Sequence, residues 1–334
     1  MIKKILLTLV SIIILGVIGL YTYVQFSWDK KYDWPGPDLK ASTDSSVIAR
    51  GDYLVNGPAH CRSCHVSGFS DFVAADKGED VELKGGVPFT MGPLGTMYPK
   101  NLTSDAKTGL GRYTDEQVFR MMRQGIRPDG MASMPLLMPF WKMADDDLVA
   151  VVSYLRTLAP VEYSVKDPEW TFVGKAVRSL TSTFTPIENP DAPAVAPPMA
   201  ATIERGEYLA RYVTNCVGCH TKRDMMTYEA TAPEFAGGME FEPWPALYKF
   251  LNTDTTIWLR TPNITPDADG AFAKFKTPED FIKRFRQGRL VAFSPMDWGP
   301  FSRMSDEDLT ALWMFLNSLE PVKHDVGELA FKKE

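Results

Sequence analysis

The chain has very little cysteine and histidine, four of each in 334 residues. All four cysteines fall in two C-x-x-C pairs, so none is left over for a structural disulfide. Positive charge is not in excess. With 36 Lys and Arg against 42 Asp and Glu, the net charge is −6, which argues against a nucleic-acid partner. An acidic balance suits a protein that meets its partners through charge steering. No nucleotide, flavin or quinone motif is present, and no βαβ pattern surrounds the cysteine pairs. The run from Ile5 to about Phe26 contains no charge at all.

That run opens the chain. At about 1.5 Å per residue it is long enough for a bilayer core of about 30 Å. It lacks an A-x-A-like cleavage site and ends in Tyr21, Tyr23, Phe26 and Trp28, which suit a membrane interface. It therefore reads as an uncleaved single-pass anchor rather than a signal peptide, with the membrane met through residues 5–26. Lys3 and Lys4 place the N-terminus in the cytoplasm, and the rest of the chain outside the cytoplasmic membrane, in the periplasm or on the outer face. Residues 27–46, polar with Pro35 and Pro37, read as a tether.

The two cysteine pairs are the centre of the sequence. Cys61-Arg62-Ser63-Cys64-His65 and Cys216-Val217-Gly218-Cys219-His220 share one skeleton. C-x-x-C-H is a c-type haem attachment signature. Two thiols on one turn of chain can each close a thioether to a haem vinyl group, and the next residue places an imidazole under the iron. The rival readings are a thioredoxin-like pair and a zinc site assembled from both pairs. A redox pair needs no following histidine, and the four thiols lie far apart in two similar halves. The expected cofactors are thus two covalently bound haem c groups.

The halves repeat beyond these motifs. Arg50-Gly51-Asp52-Tyr53-Leu54 and Arg205-Gly206-Glu207-Tyr208-Leu209 precede the cysteines at one offset and read as a helix entering each site. Asn101-Leu102-Thr103-Ser104-Asp105 and Asn263-Ile264-Thr265-Pro266-Asp267 follow them. Next come helices opening at Thr114 (with Gln117 in a capping box) and at Thr277-Pro278, both ending in Arg-Gln-Gly. Each half closes with an amphipathic helix, marked by Leu148, Val152 and Leu155 in the first and by Leu309, Leu312, Leu316 and Leu319 in the second. Ser305 with Asp308 caps the second closing helix, and Asp145 is the expected cap of the first. The predicted organisation is 1–26 anchor, 27–46 tether, 47–160 first haem domain, 161–200 Pro-rich linker with a short helix near 169–181, 201–325 second haem domain and 326–334 tail.

A haem with one histidine leaves an axial position open, and methionine is the usual partner in an electron carrier. In the second half Met296, after Pro295, is well placed, and Met304 stands against the helix cap. The first half offers Met131, Met134, Met138 and Met143. An ungapped match sets Met296 beside Met134, which is therefore preferred, while Met138-Pro139-Phe140 makes an equally good loop and stays open. His60, next to Cys61, is poorly aimed at the far face of the same haem, and His324 lies beyond the last helix.

From about residue 47 to 322 the chain resembles the membrane-associated multihaem cytochromes c that serve alcohol, aldehyde and gluconate dehydrogenases. The resemblance rests on Arg-Gly-x-Tyr-Leu, both C-x-x-C-H motifs, the Asn-[Leu/Ile]-Thr-x-Asp segments, Thr108 to Glu116, Arg127-Pro128-Asp129-Gly130 and the 304–309 run. It implies an all-α fold of two tandem class I cytochrome c domains behind the transmembrane helix, with Gly51 and Gly206 meeting the closing helices near Tyr154 and Phe315. It also implies His/Met ligation and an electron carrier rather than an enzyme. Its partners would be a dehydrogenase or quinol-linked donor, and a terminal oxidase or soluble cytochrome as acceptor. Such subunits commonly carry three haems; this chain has motifs for two. A diheme peroxidase with one open haem, or a haem-based sensor, are the alternatives.

Overall fold

A computed structural model describes residues 1–134, 137–224 and 227–333. Helix α1 (Ile2–Ser27) is long and apolar enough to cross a membrane, and its most apolar stretch packs against nothing in the protein. Inside it, the Thr8 and Ser11 hydroxyls donate to the carbonyls of Lys4 and Leu7, at 3.0 and 2.9 Å. Those bonds consume the donors that lipid could not satisfy.

The segment after α1 is not a free tether. Gly36 N donates to Glu116 (3.1 Å), Ala41 N to Asp115 (2.8 Å) and Ser42 N to Ser153 (2.7 Å), while Arg120 donates to the Trp34 carbonyl (3.1 Å). Its backbone partners stand on distant helices, so nothing in its own polar, Pro-rich composition announces them.

The first half comprises α2 (Ser45–Asn56), α3 (Phe69–Asp76), α4 (Asp115–Gln124) and α5 (Asp145–Thr157), and α6 (Phe172–Leu180) follows it. The second comprises α7 (Ile203–Tyr208), continued by a π-helical stretch Leu209–Val213, then α8 (Cys216–Cys219), α9 (Pro245–Phe250), α10 (Pro278–Arg286), α11 (Trp298–Phe301) and α12 (Asp306–Ser318). The chain is mostly helical but not wholly so. Strands β1 (Phe89–Thr90), β2 (Gly95–Met97) and β3 (Glu169–Trp170) form one small antiparallel sheet in that order. Strands β4 (Glu240–Phe241), β5 (Ile257–Arg260) and β6 (Ala330–Lys332) form another. Strand β6 pairs Ile257 with Lys332, so the expected tail is an edge strand, and β3 ties part of the expected linker to the first half. Strands of two to four residues carry too little alternation to be read from sequence.

Within each half the entry helix crosses the closing helix at a glycine. A Cβ at Gly51 would strike the Ala150 carbonyl and lie 2.7 Å from Tyr154 Cβ. One at Gly206 would strike the Ala311 carbonyl and lie 2.7 Å from Phe315 Cβ. Only glycine permits that approach. The capping boxes at Thr114 with Gln117 and at Thr277 with Asp280 both form. Asp145 does not cap α5. Its carboxylate takes the Arg123 guanidinium at 2.5 Å, and the first amides of α5 reach the Pro193 and Ala194 carbonyls instead, at 2.9 and 3.2 Å. On α12 only half of the capping exchange exists. Asp308 N donates to Ser305 Oγ (3.1 Å), while the Asp308 carboxylate is engaged elsewhere.

That engagement joins the halves. Arg205 holds Asp308 through two bonds of 2.8 and 3.1 Å, and Arg50 holds Asp147 with the same two lengths. The tyrosines of the repeated motif cross over. Tyr53 donates to Asp308 (2.7 Å) and accepts from Ser305 N (3.1 Å), whereas Tyr208 donates to Asp147 (2.9 Å) and accepts from Ala144 N (3.0 Å). Each entry helix thus grips its own closing helix by arginine and the other half's closing helix by tyrosine. Arg289 with Asp76 (2.8 and 2.9 Å) adds a further bridge between halves. Buried residues from both halves make one contiguous core.

Burial, and then the Asp308 charge, push the Tyr53 phenol up to about 12; burial and Asp147 raise Tyr208 in the same direction. An unfolded tyrosine titrates near 10. Raised values mean that the protonated phenols stabilise the fold fully below about pH 10 and lose that contribution as pH climbs toward about 12. Denaturant titrations followed by far-UV circular dichroism are expected to show a falling unfolding free energy across this window. The fall should be shallower in Tyr53→Phe and Tyr208→Phe.

Candidate functional site

The two C-x-x-C-H segments adopt one geometry. His60 (φ 43°) and Asn215 (φ 54°) occupy equivalent left-handed positions immediately before the first cysteine. The chain then closes a single turn, with His65 N donating to Cys61 O at 3.0 Å and His220 N to Cys216 O at 2.8 Å. Both thiols of each pair thus leave the same turn. Burial pushes Cys61, Cys64 and Cys219 up to about 12, and raises Cys216 as well. A thiol–disulfide catalyst needs the opposite, a thiolate stabilised by a depressed pKa.

Each histidine is oriented by a backbone carbonyl. His65 Nδ1 donates to Lys100 O at 2.8 Å, and His220 Nδ1 to Pro262 O at 3.0 Å. Burial lowers both imidazoles, partly opposed by that bond, and favours the neutral form. With Nδ1 carrying the proton, Nε2 is left as a free donor for a metal. The Asn-centred segments hold these carbonyls in place. Asn101 Oδ1 accepts from Thr103 N (2.9 Å) and its Nδ2 donates to Val161 O (2.9 Å). Asn263 repeats this with Thr265 N (3.0 Å) and Val322 O (2.8 Å). The asparagine immediately follows the residue whose carbonyl holds the histidine. The motif was visible in sequence; its positioning role required the fold.

The candidate methionines separate by environment. Met296 is half-buried against the main core, to which Cys61 and Cys216 also pack, and Met138 packs there too. Met134 is 3% exposed and lies in a separate small cluster with Ala132, Val177 and Phe184, under α6. Met143 and Met304 are fully buried core residues. Pro135 and Leu136, which follow Met134, lie outside the described residues.

One carboxylate acts on both motifs. After burial, Asp297 is the next largest influence raising both Cys64 and Cys219. It also lies 3.8 Å from His60 Nε2. The His60 ring stands between Phe140 of the first half and Phe301 of the second, at centroid distances of 6.2 and 5.5 Å. One carboxylate near the junction of the halves thus bears on both motifs. Asp297 and His60 carry no recognisable signature for this, since the contact is made across the repeat. His324 instead bonds Ala236 O through Nδ1 at 2.8 Å.

Among the described residues no group of three or more His, Cys, Asp or Glu is disposed to hold a metal ion, which argues against a four-thiolate zinc site. A c-type haem is attached through two thiols on one turn and an adjacent imidazole, and each half presents those residues together. No family model matches the chain. It is similar to the cytochrome c subunit of the quinone alcohol dehydrogenase of Gluconacetobacter polyoxogenes, 27% identical over 303 residues, covering 86% of this chain and 59% of the relative. The cytochrome c subunit of the gluconate 2-dehydrogenase of Pantoea cypripedii is 25% identical over 301 residues, covering 83% and 60%. The cytochrome subunit of the fructose dehydrogenase of Gluconobacter japonicus is 24% identical over 315 residues, covering 88% and 57%. The chain spans about three-fifths of the length of these relatives, and across that span it is similar to electron-carrying cytochrome c subunits of dehydrogenases.

Proposed function

We propose that this chain is a diheme c-type cytochrome that relays electrons on the outer face of the cytoplasmic membrane, as the cytochrome subunit that accepts electrons from a dehydrogenase. The observation that carries it is the duplicated site. Each half presents two thiols on one turn, followed by a neutral histidine whose Nδ1 is tied to a carbonyl. The similarity to dehydrogenase cytochrome subunits supports the same reading.

When bound, haem c supplies one-electron exchange at its iron. Cys61 with Cys64, and Cys216 with Cys219, would attach the two groups. His65 and His220 offer Nε2 as proximal ligands. Met296 would hold the opposite position in the second half. In the first half, Met138 is favoured over Met134, because it packs on the core that Cys61 shares. The paired halves form two haem domains that share one buried core, to which Cys61 and Cys216 both pack, an arrangement suited to direct exchange between them. The surrounding side chains exclude water and so tune potential through the local dielectric. A quinol-linked donor, and a terminal oxidase or soluble cytochrome acceptor, are the expected partners, with α1 as the anchor and its N-terminus inside.

The test is a pyridine haemochrome assay on the purified protein, with spectra before and after carbon monoxide and peroxide. Two low-spin haems per chain, unreactive to both additions, are expected. A haem that binds carbon monoxide or reacts with peroxide would replace the relay by a peroxidase or sensor.

A further inference from the structure

Helix α6 lies in the stretch that joins the halves, and it packs against the end of α1. The Phe172 ring stacks on Tyr21 (centroids 5.4 Å apart, planes 15° apart). Lys175 donates to Gln25 (3.2 Å) and lies over the Trp28 ring (5.0 Å), and Arg178 donates to the Trp28 carbonyl (3.1 Å). Val24 of α1 is fully buried by this contact region, with its carbonyl 3.5 Å from Ser179 Oγ. Along α6 the partners advance from Tyr21 to Trp28, so the two helices run side by side in the same sense. The N-terminal tip of α6 therefore points back along the apolar helix. Tyr21 stands about 9 Å inside the end of α1 at 1.5 Å per residue, and about 6 Å below the outer boundary of an apolar core about 30 Å thick that begins at Ile5.

At that tip Phe172 is 44% exposed and Val173 47%, beside Tyr21 at 55%. Two adjacent large apolar residues opening a helix would ordinarily be turned inward. Here they face out just inside the lipid boundary. Part of the polar cap of the tip is satisfied within the protein. The Thr171 hydroxyl accepts from Gly174 N (3.0 Å) and donates to the Pro93 carbonyl (2.5 Å), and Thr171 N donates to the Leu94 carbonyl (3.2 Å). These bonds lower the cost of bringing the tip into the lipid interface, where headgroups and water can meet the remaining first-turn amides.

We propose that the tip of α6, through Phe172 and Val173, inserts into the outer leaflet beside α1 and is a second membrane-contacting element. The occupant of this face is the bilayer itself, because Phe172 stacks on Tyr21, an exposed residue of the spanning helix, and Val173 follows it in the chain. The inference rests on the reading of α1 as an anchor. It follows that the haem-binding halves are held in one orientation over the membrane, gripped at α1, at α6 and along residues 29–46, and do not swing on a flexible lead. A fixed orientation keeps the same face of the protein toward membrane-borne donors.

Single cysteines placed at Val173, Ile12 and Leu290 (Val173→Cys, Ile12→Cys, Leu290→Cys) in the full-length, haem-loaded protein test this. Each is labelled with a small fluorophore and reconstituted in phosphatidylcholine vesicles. Quenching by nitroxides on the lipid chains is compared with quenching by aqueous iodide, each as a ratio to the same label unquenched, so that energy transfer to haem cancels. The Ile12 label reports the span and the Leu290 label, on an exposed loop, reports water. The Val173 label is expected to be quenched by lipid at least three-fold more than the Leu290 label and to be shielded from iodide. Lipid quenching at Ile12 with a Val173 label as iodide-accessible as Leu290 overturns the α6 proposal alone. Lipid quenching at neither position overturns the anchor, and the proposal with it.

Discussion

Met296→Ala is expected to remove about half of the methionine–iron charge-transfer absorbance of the oxidised, haem-loaded protein, and Met138→Ala the other half. Each variant should retain both haems in the pyridine haemochrome assay, since thioether attachment does not depend on the axial methionine. Each should turn one haem high-spin and open it to carbon monoxide. Met134→Ala is the internal control. Its side chain is buried among Ala132, Val177 and Phe184, so its loss leaves a cavity and costs about 2–5 kcal/mol of stability. It should leave the absorbance band intact. The opposite pattern, with the band halved by Met134→Ala and untouched by Met138→Ala, would reassign the first distal ligand and require the 134–138 loop to stand differently over the first haem.

The second large effect is on stability. Asp308→Ala is expected to destabilise the protein by about 3–5 kcal/mol, because Arg205 is 0% exposed and would keep only the more distant Asp147 carboxylate, at 4.0 Å, to balance its buried charge. The same substitution removes the acceptor of Tyr53, so the contact between halves weakens together with the contact within the second half. Glu207→Ala makes the contrast. Its partner Arg211 lies at the surface, where such pairs are worth about 0–1 kcal/mol. Replacing both members of the buried pair, Arg205→Met with Asp308→Leu, should recover part of the loss, since well-packed apolar residues of similar volume avoid the desolvation cost. Denaturant titration of the haem-loaded variants measures all three. A loss below about 1 kcal/mol for Asp308→Ala would mean that water reaches Arg205 and that the halves are joined elsewhere.

The repeated Arg-Gly-x-Tyr-Leu motif shows how far a sequence reaches. Its glycine could be read as a close approach, because only glycine lacks a Cβ. Its arginine and tyrosine could not be assigned, because their partners are aspartates in the first turn of helices 61 to 255 residues away, one on each half. The Asn-x-Thr segments were likewise visible as repeats, but their task of steadying the carbonyls that hold His65 and His220 is a matter of geometry. Residues 29–46 looked like loose chain because a polar, Pro-rich stretch reads the same whether or not its amides find distant carboxylates.

By itself the sequence announced the duplicated attachment signature and the local elements. C-x-x-C-H specifies its own ligand set within one turn, the capping residues and glycines bound the helices, and an uncharged run marks a membrane helix, since each of these depends on residues that are neighbours along the chain. Tertiary structure decided the rest: which methionine shares a core with Cys61, how Asp297 comes to stand beside His60, and why α6 lies against the end of α1. Those are contacts between segments far apart in sequence, set by how buried surfaces and buried charges must be matched, and no local pattern encodes them.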